Sequence, residues 1–203
     1  MKVITLIVML FIPAITTMAQ DYDKLVSSFS ESYAKEKSGN YGEAAAILKA
    51  NYDPKSYETN LRLGWLSYLG GQFSESLTYY NRAIELMPYA IEPRFGVVLP
   101  ASSLGNWDVV ISHYNKILSI DPNNTITLYR MGLISYDRKD YKQAYIYFEK
   151  VVNLYPFDYQ SLLMLGWTNY RLGKTREAKI LFNKALLYSP GDASAKEGLA
   201  LVK

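Results

Sequence analysis

The sequence predicts an all-α protein made of one helix–turn–helix unit repeated five times, and three observations carry that prediction. Prolines stand at 54, 88, 122, 156 and 190, all at one constant interval. Glycines stand at 64, 132 and 166, and a second series runs 71, 105 and 173, with Lys139 in its one open slot. Between these marks apolar residues recur at helical spacing, and a fixed period of this length is the signature of stacked repeats.

The chain opens differently. Met1 and Lys2 precede an almost unbroken apolar run, Val3 to Ile12, closed by Pro13. Thr17 and Ala19 then supply the small residues of a cleavage site. Charged, apolar, then small is the order of a secretory signal peptide, and the run is too short for a membrane span of roughly 20 residues. The expectation is a leader over residues 1–19, cleaved near Ala19, and an exported chain that is periplasmic or secreted.

Residues 20–203 are expected to form the repeat domain. The first repeat, about 23–56, is degenerate: Pro54 follows Gly39 two positions sooner than Pro88 follows Gly71, which predicts a short second helix. In the second repeat, 57–90, Leu63, Gly64 and Ser67 share one face of the first helix. Gly70-Gly71 ends that helix, and Leu77, Tyr80, Ala83 and Ile84 form the apolar face of the second. Pro88 follows because a helix interior rejects it. The third repeat, 91–124, replaces the small residue with Val98 and carries Pro100 inside its first helix, which predicts a kink or break around Leu99–Ser102. Repeats 125–158 and 159–192 keep the pattern. Ala193–Lys203 reads as a capping helix, with Lys196 and Glu197 in solvent and Leu199 docking inward. No repeat buries a core alone; stacked, they share one.

These residues resemble the tetratricopeptide repeat (TPR) family. The resemblance is clearest in Leu165-Gly166, Gly173, Ala178, Phe182, Ala185 and Pro190. It is nearly as clear in Met131-Gly132, Tyr141, Ala144, Phe148 and Pro156, and present in Leu63-Gly64, Gly71, Phe73, Ala83 and Pro88. It covers about residues 23–192 and implies a right-handed solenoid whose first helices line a concave groove that holds peptides.

Composition narrows the chemistry. The 203 residues carry 22 Lys+Arg against 19 Asp+Glu, a formal charge of +3, which gives no reason to expect nucleic acid. Cysteine is absent and His113 is the single histidine, which excludes thiol chemistry, disulfides and two-histidine zinc sites. His113 is read as a surface residue. No phosphate-binding loop, zinc-protease or nucleophile-elbow motif occurs. Neither catalysis nor a cofactor or metal is expected.

What remains is a second apolar stripe. Counting each repeat from its first residue, places 4, 7, 8 and 11 face the partner helix, and places 5, 9 and 12 face away from it. Those places hold Leu61, Trp65 and Tyr68; Phe95, Leu99 and Ser102; Tyr129, Leu133 and Tyr136; Leu163, Trp167 and Tyr170. Arg62 and Arg130 lie alongside at place 6. In the TPR family such places contact bound peptides, so the resemblance makes these residues, Ser102 apart, the candidate partner-binding set. Trp, Tyr and Arg are also the types enriched in binding hot spots. The Lys and Asn of the carboxylate-clamp subtype are missing from these places.

The reading is an exported, non-catalytic scaffold that binds a protein or peptide in an aromatic groove, in cell-envelope complex assembly, without stable membrane insertion. The main alternative is a structural module that self-associates, as a homo-oligomer, through the same apolar surface. A glycan binder ranks third, because the stripe lacks the Asp, Asn and Gln that sugars need. The stripe rings could equally pack between neighbouring repeats.

Overall fold

The computed structural model describes residues 14–202, with side chains from residue 22 onward. The expected leader over 1–19 thus lies outside the described residues, apart from the first turns of α1. Among the described residues there are eleven α-helices and no strand. They are α1 (Ala14–Lys37), α2 (Tyr41–Lys49), α3 (Tyr57–Leu69), α4 (Phe73–Leu86), α5 (Glu92–Ser103), α6 (Trp107–Ile120), α7 (Thr125–Asp137), α8 (Tyr141–Leu154), α9 (Tyr159–Arg171), α10 (Thr175–Tyr188) and α11 (Ala193–Leu201). They form two compact units, one ending at Leu104 and one starting at Gly105, so the boundary falls in the turn of the third repeat. No helix of the described residues is long and apolar enough to cross a membrane.

The repeat period is visible first in the caps. Ser56, Asn124, Asp158 and Asp192 precede α3, α7, α9 and α11, and each side chain accepts a hydrogen bond from the amide three residues on. Such a cap stabilises a helix start by about 1 kcal/mol. The third repeat has Ala90 at this place, and its first helix starts later, at Glu92 with Pro93 in the first turn.

In each unit an aromatic ring from a second helix fills the space between two first helices. In the first unit, Tyr80 of α4 lies between Gly64 of α3 and Gly96 of α5. A Cβ built on either glycine would come within 2.8 Å and 2.2 Å of the ring, so no larger residue fits without displacement. In the second unit Phe182 of α10 lies likewise between Gly166 of α9 and Gly198 of α11, at 2.9 Å and 2.4 Å. Phe148 and Phe182 are fully buried, as are Ala144 and Ala185 beside them. Burial holds the Tyr80 hydroxyl far above its ordinary pKa. The cap behaves as expected: Lys196 and Glu197 are exposed, and Leu199 packs on the cluster of Leu162, Ala178 and Phe182.

The degenerate first repeat does have a short second helix, nine residues in α2 against fourteen in α4. The third repeat settles one half of the expected kink or break. No break occurs at Pro100: α5 runs unbroken from Glu92 to Ser103. Pro100 stands in the last turn, where it removes only its own bond to the Gly96 carbonyl. Its own carbonyl accepts from the Leu104 amide at 3.0 Å, and Ser102 Oγ donates to the Val98 carbonyl at 2.7 Å. A proline this near a helix end leaves little helix after it to disrupt.

Candidate functional site

In the first unit the stripe on α3 is half-buried, and one edge of it is tied to α1. Trp65 Nε1 donates to Glu36 Oε1 at 2.6 Å, and Arg62 forms an ion pair with the other oxygen of the same carboxylate. The Arg62 guanidinium also lies 4.0 Å from the centre of the Tyr33 ring, a cation–π contact. Arg62 is only 8% exposed and is therefore taken up inside the unit. Burial pushes the Glu36 carboxyl up, but the hydrogen bonds from Arg62 and Trp65 outweigh it and leave the group below its ordinary value. Tyr68 rests between Trp65 and Phe73, ring centres 5.8 and 5.9 Å away. Leu61 and Phe95 are half-buried, and Leu99 is exposed.

In the second unit the stripe runs along α7 and α9. Tyr129 meets the buried Phe148 at 5.7 Å, and Tyr136 meets Tyr141 edge-on at 5.2 Å. Trp167 stands edge-on to Phe182 at 5.1 Å and donates from Nε1 to Ser194 Oγ of α11 at 2.9 Å. Tyr170 packs against Trp167 at 5.9 Å. Leu133 and Leu163 are half-buried over the cores beneath them. Arg130 differs from its register equivalent Arg62: it is exposed and makes no ion pair or side-chain hydrogen bond among the described residues. It lines a cleft of about 660 Å³ with Tyr129, Leu133, Tyr155, Asp158 and Ser161. Burial raises the Tyr129 hydroxyl pKa, and the Arg130 charge works against that rise.

The structure thus brings the candidates together in two sets, one on α3 and α5, the other on α7 and α9. The members of the stripe on α1 were missed. Gly39 takes the same positive-φ turn as Gly71, so α1 is in register with α3, two positions short of the full period. Tyr33 and Glu36 therefore occupy places 9 and 12 of the first repeat. Counting from the N-terminal end of that repeat hid them, because its two-residue deletion lies after the turn; counting back from Gly39 finds them. The polar rim of the cleft, Asp158 and Gln160, sits at a repeat boundary and gives no apolar signal. No group of three or more potential metal ligands occurs among the described residues. His113 is half-buried on α6.

Sequence profiles of the tetratricopeptide repeat family match residues 29–91, 127–158 and 159–192. The chain belongs to the tetratricopeptide repeat family. Its fold is shared with solved structures of low sequence identity. One is a TPR protein from Parabacteroides merdae, 22% identical with a TM-score of 0.75 over 89% of this chain and 72% of that one. A second is MamA from Desulfovibrio magneticus, 17% identical with a TM-score of 0.69 over 84% of this chain and 98% of that one. A third is YrrB, a TPR protein with an unusual peptide-binding site, 12% identical with a TM-score of 0.68 over 91% and 97%. Among curated sequences, the CTR9 homologue of Arabidopsis thaliana is 32% identical over 71 residues. That match covers 34% of this TPR chain and 6% of the plant protein.

Proposed function

We propose that this TPR protein is an exported, non-catalytic scaffold that holds a peptide or helix of a protein partner on its aromatic stripe, within a cell-envelope complex. The observation that carries the reading is the state of the stripe rings. Trp65, Tyr68, Tyr129, Tyr136, Trp167 and Tyr170 are each anchored by a neighbour on one side and half-buried rather than covered. Rings fixed in place lose little entropy on binding, which suits a recognition surface. The structural likeness to YrrB supports peptide capture as a use of this architecture. Export rests on the leader motif of residues 1–19.

The test joins two measurements on one set of variants. Partners cross-linked from the envelope fraction are identified, and their affinity for wild type, Tyr129→Ala and Tyr136→Ala is compared with unfolding curves. Loss of affinity with folding intact supports the reading; unchanged affinity per folded molecule overturns it. N-terminal mass spectrometry of the exported protein checks the leader, and a retained Met1 would refute cleavage.

Self-association is the second reading. It draws on an exposed apolar edge in the second unit, where Tyr155, Phe157, Leu187 and Tyr188 are each more than half exposed. Light scattering across a concentration series tests it, and a constant monomer mass removes it.

A further inference from the structure

The cleft over α7 and α9 contains a charge with no ion pair among the described residues. Arg130 has no carboxylate partner among the described residues, although Asp158 lines the same cleft. Asp158 is committed elsewhere: its Oδ1 accepts from the Ser161 amide and caps α9. Below it, Ser161 is fully buried and its Oγ has no hydrogen-bond partner, so the floor is polar and unsatisfied. The walls beside Arg130 are Tyr129 and Leu133, half-buried and apolar.

We propose that this cleft takes one acidic side chain from within a peptide partner, paired with Arg130, with the partner's adjacent apolar side chain resting on Tyr129 and Leu133. This rests on the peptide-binding reading above and names the partner's chemistry. Charge complementarity selects the acid, since an unpaired guanidinium matches a carboxylate in a bidentate pair. An internal side chain is favoured over a C-terminus because gripping a terminus takes several convergent donors, and Arg130 is the only cation in the lining. A run of acids is disfavoured, because the Asp158 carboxylate would repel the second one. The preferred motif is therefore a single Asp or Glu beside a large apolar residue.

The experiment uses the full chain and an array of short random peptides, acetylated and amidated so that no terminal charge remains, beside a matched array with free C-termini. Wild type should enrich a lone Asp or Glu next to Phe, Tyr or Leu on both arrays. Arg130→Glu should lose these peptides by about tenfold and turn the preference toward Lys or Arg. An unchanged preference in Arg130→Glu overturns the proposal, and so does binding confined to free C-termini. If capped peptides bind wild type and Tyr136→Ala weakens them while Arg130→Glu does not, the groove stands and the acidic specificity falls. If no peptide on either array binds wild type, both readings fail. Arg130 is exposed, so the unfolding curve of the variant should match wild type and keep the comparison clean.

Discussion

The second and fourth repeats carry the same register with opposite uses of one residue. Arg62 and Arg130 stand at the same place, two repeats apart, each just ahead of a glycine that receives an aromatic ring. Arg62 is closed off by Glu36 and Tyr33. Among the described residues, Arg130 has no such carboxylate or covering ring within its own unit. The lesson is that a place in a repeat sets where a side chain stands on its helix, while the groups packed around it set what it does there. An arginine with a counter-charge packed against it is a structural tie, and one without it is available to a partner.

The largest expected effect breaks the tie. Glu36→Ala leaves Arg62 nearly buried without its counter-charge and removes the acceptor of Trp65 Nε1. Stability should fall by about 3 kcal/mol, the scale of opening a buried ion pair from one side. Chemical denaturation measures it, and a loss below about 1 kcal/mol would show that Arg62 escapes to solvent. The same group sets a pH dependence. Its folded pKa lies below its unfolded one, so its contribution is full above the ordinary carboxylate range. That contribution is lost as pH falls through the depressed folded value. Asp192, held low by Tyr159 and the Ala195 amide despite its own partial burial, adds to the same acid window. Glu36→Gln should remove part of the acid sensitivity and leave the Asp192 part.

Next in size is Trp167→Ala. The ring is half-buried on Phe182 and bonded to Ser194, so its loss should cost about 2 kcal/mol, less than the roughly 3–5 kcal/mol of a fully buried aromatic. A full core-sized loss would make this ring a structural element like Phe182 rather than a half-buried anchor. Trp65→Ala should cost more than Trp167→Ala, because its indole N–H bonds a carboxylate rather than a hydroxyl.

Most of the architecture was legible in the sequence because the repeat forces each element to serve the same packing role. Proline and glycine spacing placed the turns, while the rings that fill the space at Gly64, Gly132 and Gly166 are shown only by the structure. The break at Pro100 does not occur because this proline stands in a last turn, where little helix follows it. The stripe residues on α3, α5, α7 and α9 stand half-buried or exposed, save that Arg62 is taken up within its unit. Glu36 could not be recognised as the partner of Arg62 from composition, since an ion pair between successive repeats leaves no local pattern. The register through Gly39 is what places it.

A smaller effect separates the turns. Gly71 of the second repeat and Lys139 of the fourth both adopt positive φ, at 75° and 62°. A lysine pays about 1 kcal/mol or more for that conformation, which glycine adopts freely. Lys139 is exposed, so no contact is lost with its side chain. Lys139→Gly should therefore raise stability by about 0.5 kcal/mol, the strain relief less the entropy of a freer unfolded chain. A lower denaturant midpoint would show that Lys139 is held in this turn by an interaction of its own.

The smallest effect is the most direct test of the comparison. Arg130→Gln removes an exposed guanidinium with no ion pair, so stability should stay within about 0.5 kcal/mol of wild type. Arg62→Gln strips the charge from a nearly buried pair and leaves the Glu36 carboxylate half-satisfied. It should cost several times more, about 2 kcal/mol or above. The two substitutions are chemically identical and occupy one place in the repeat, so intrinsic helix propensity cancels between them. What remains is the difference between a paired, nearly buried guanidinium and an exposed one without an ion pair. Equal losses from the two variants would mean that Arg130 has a structural partner after all, and the contrast between a tied and an open arginine would fall with it.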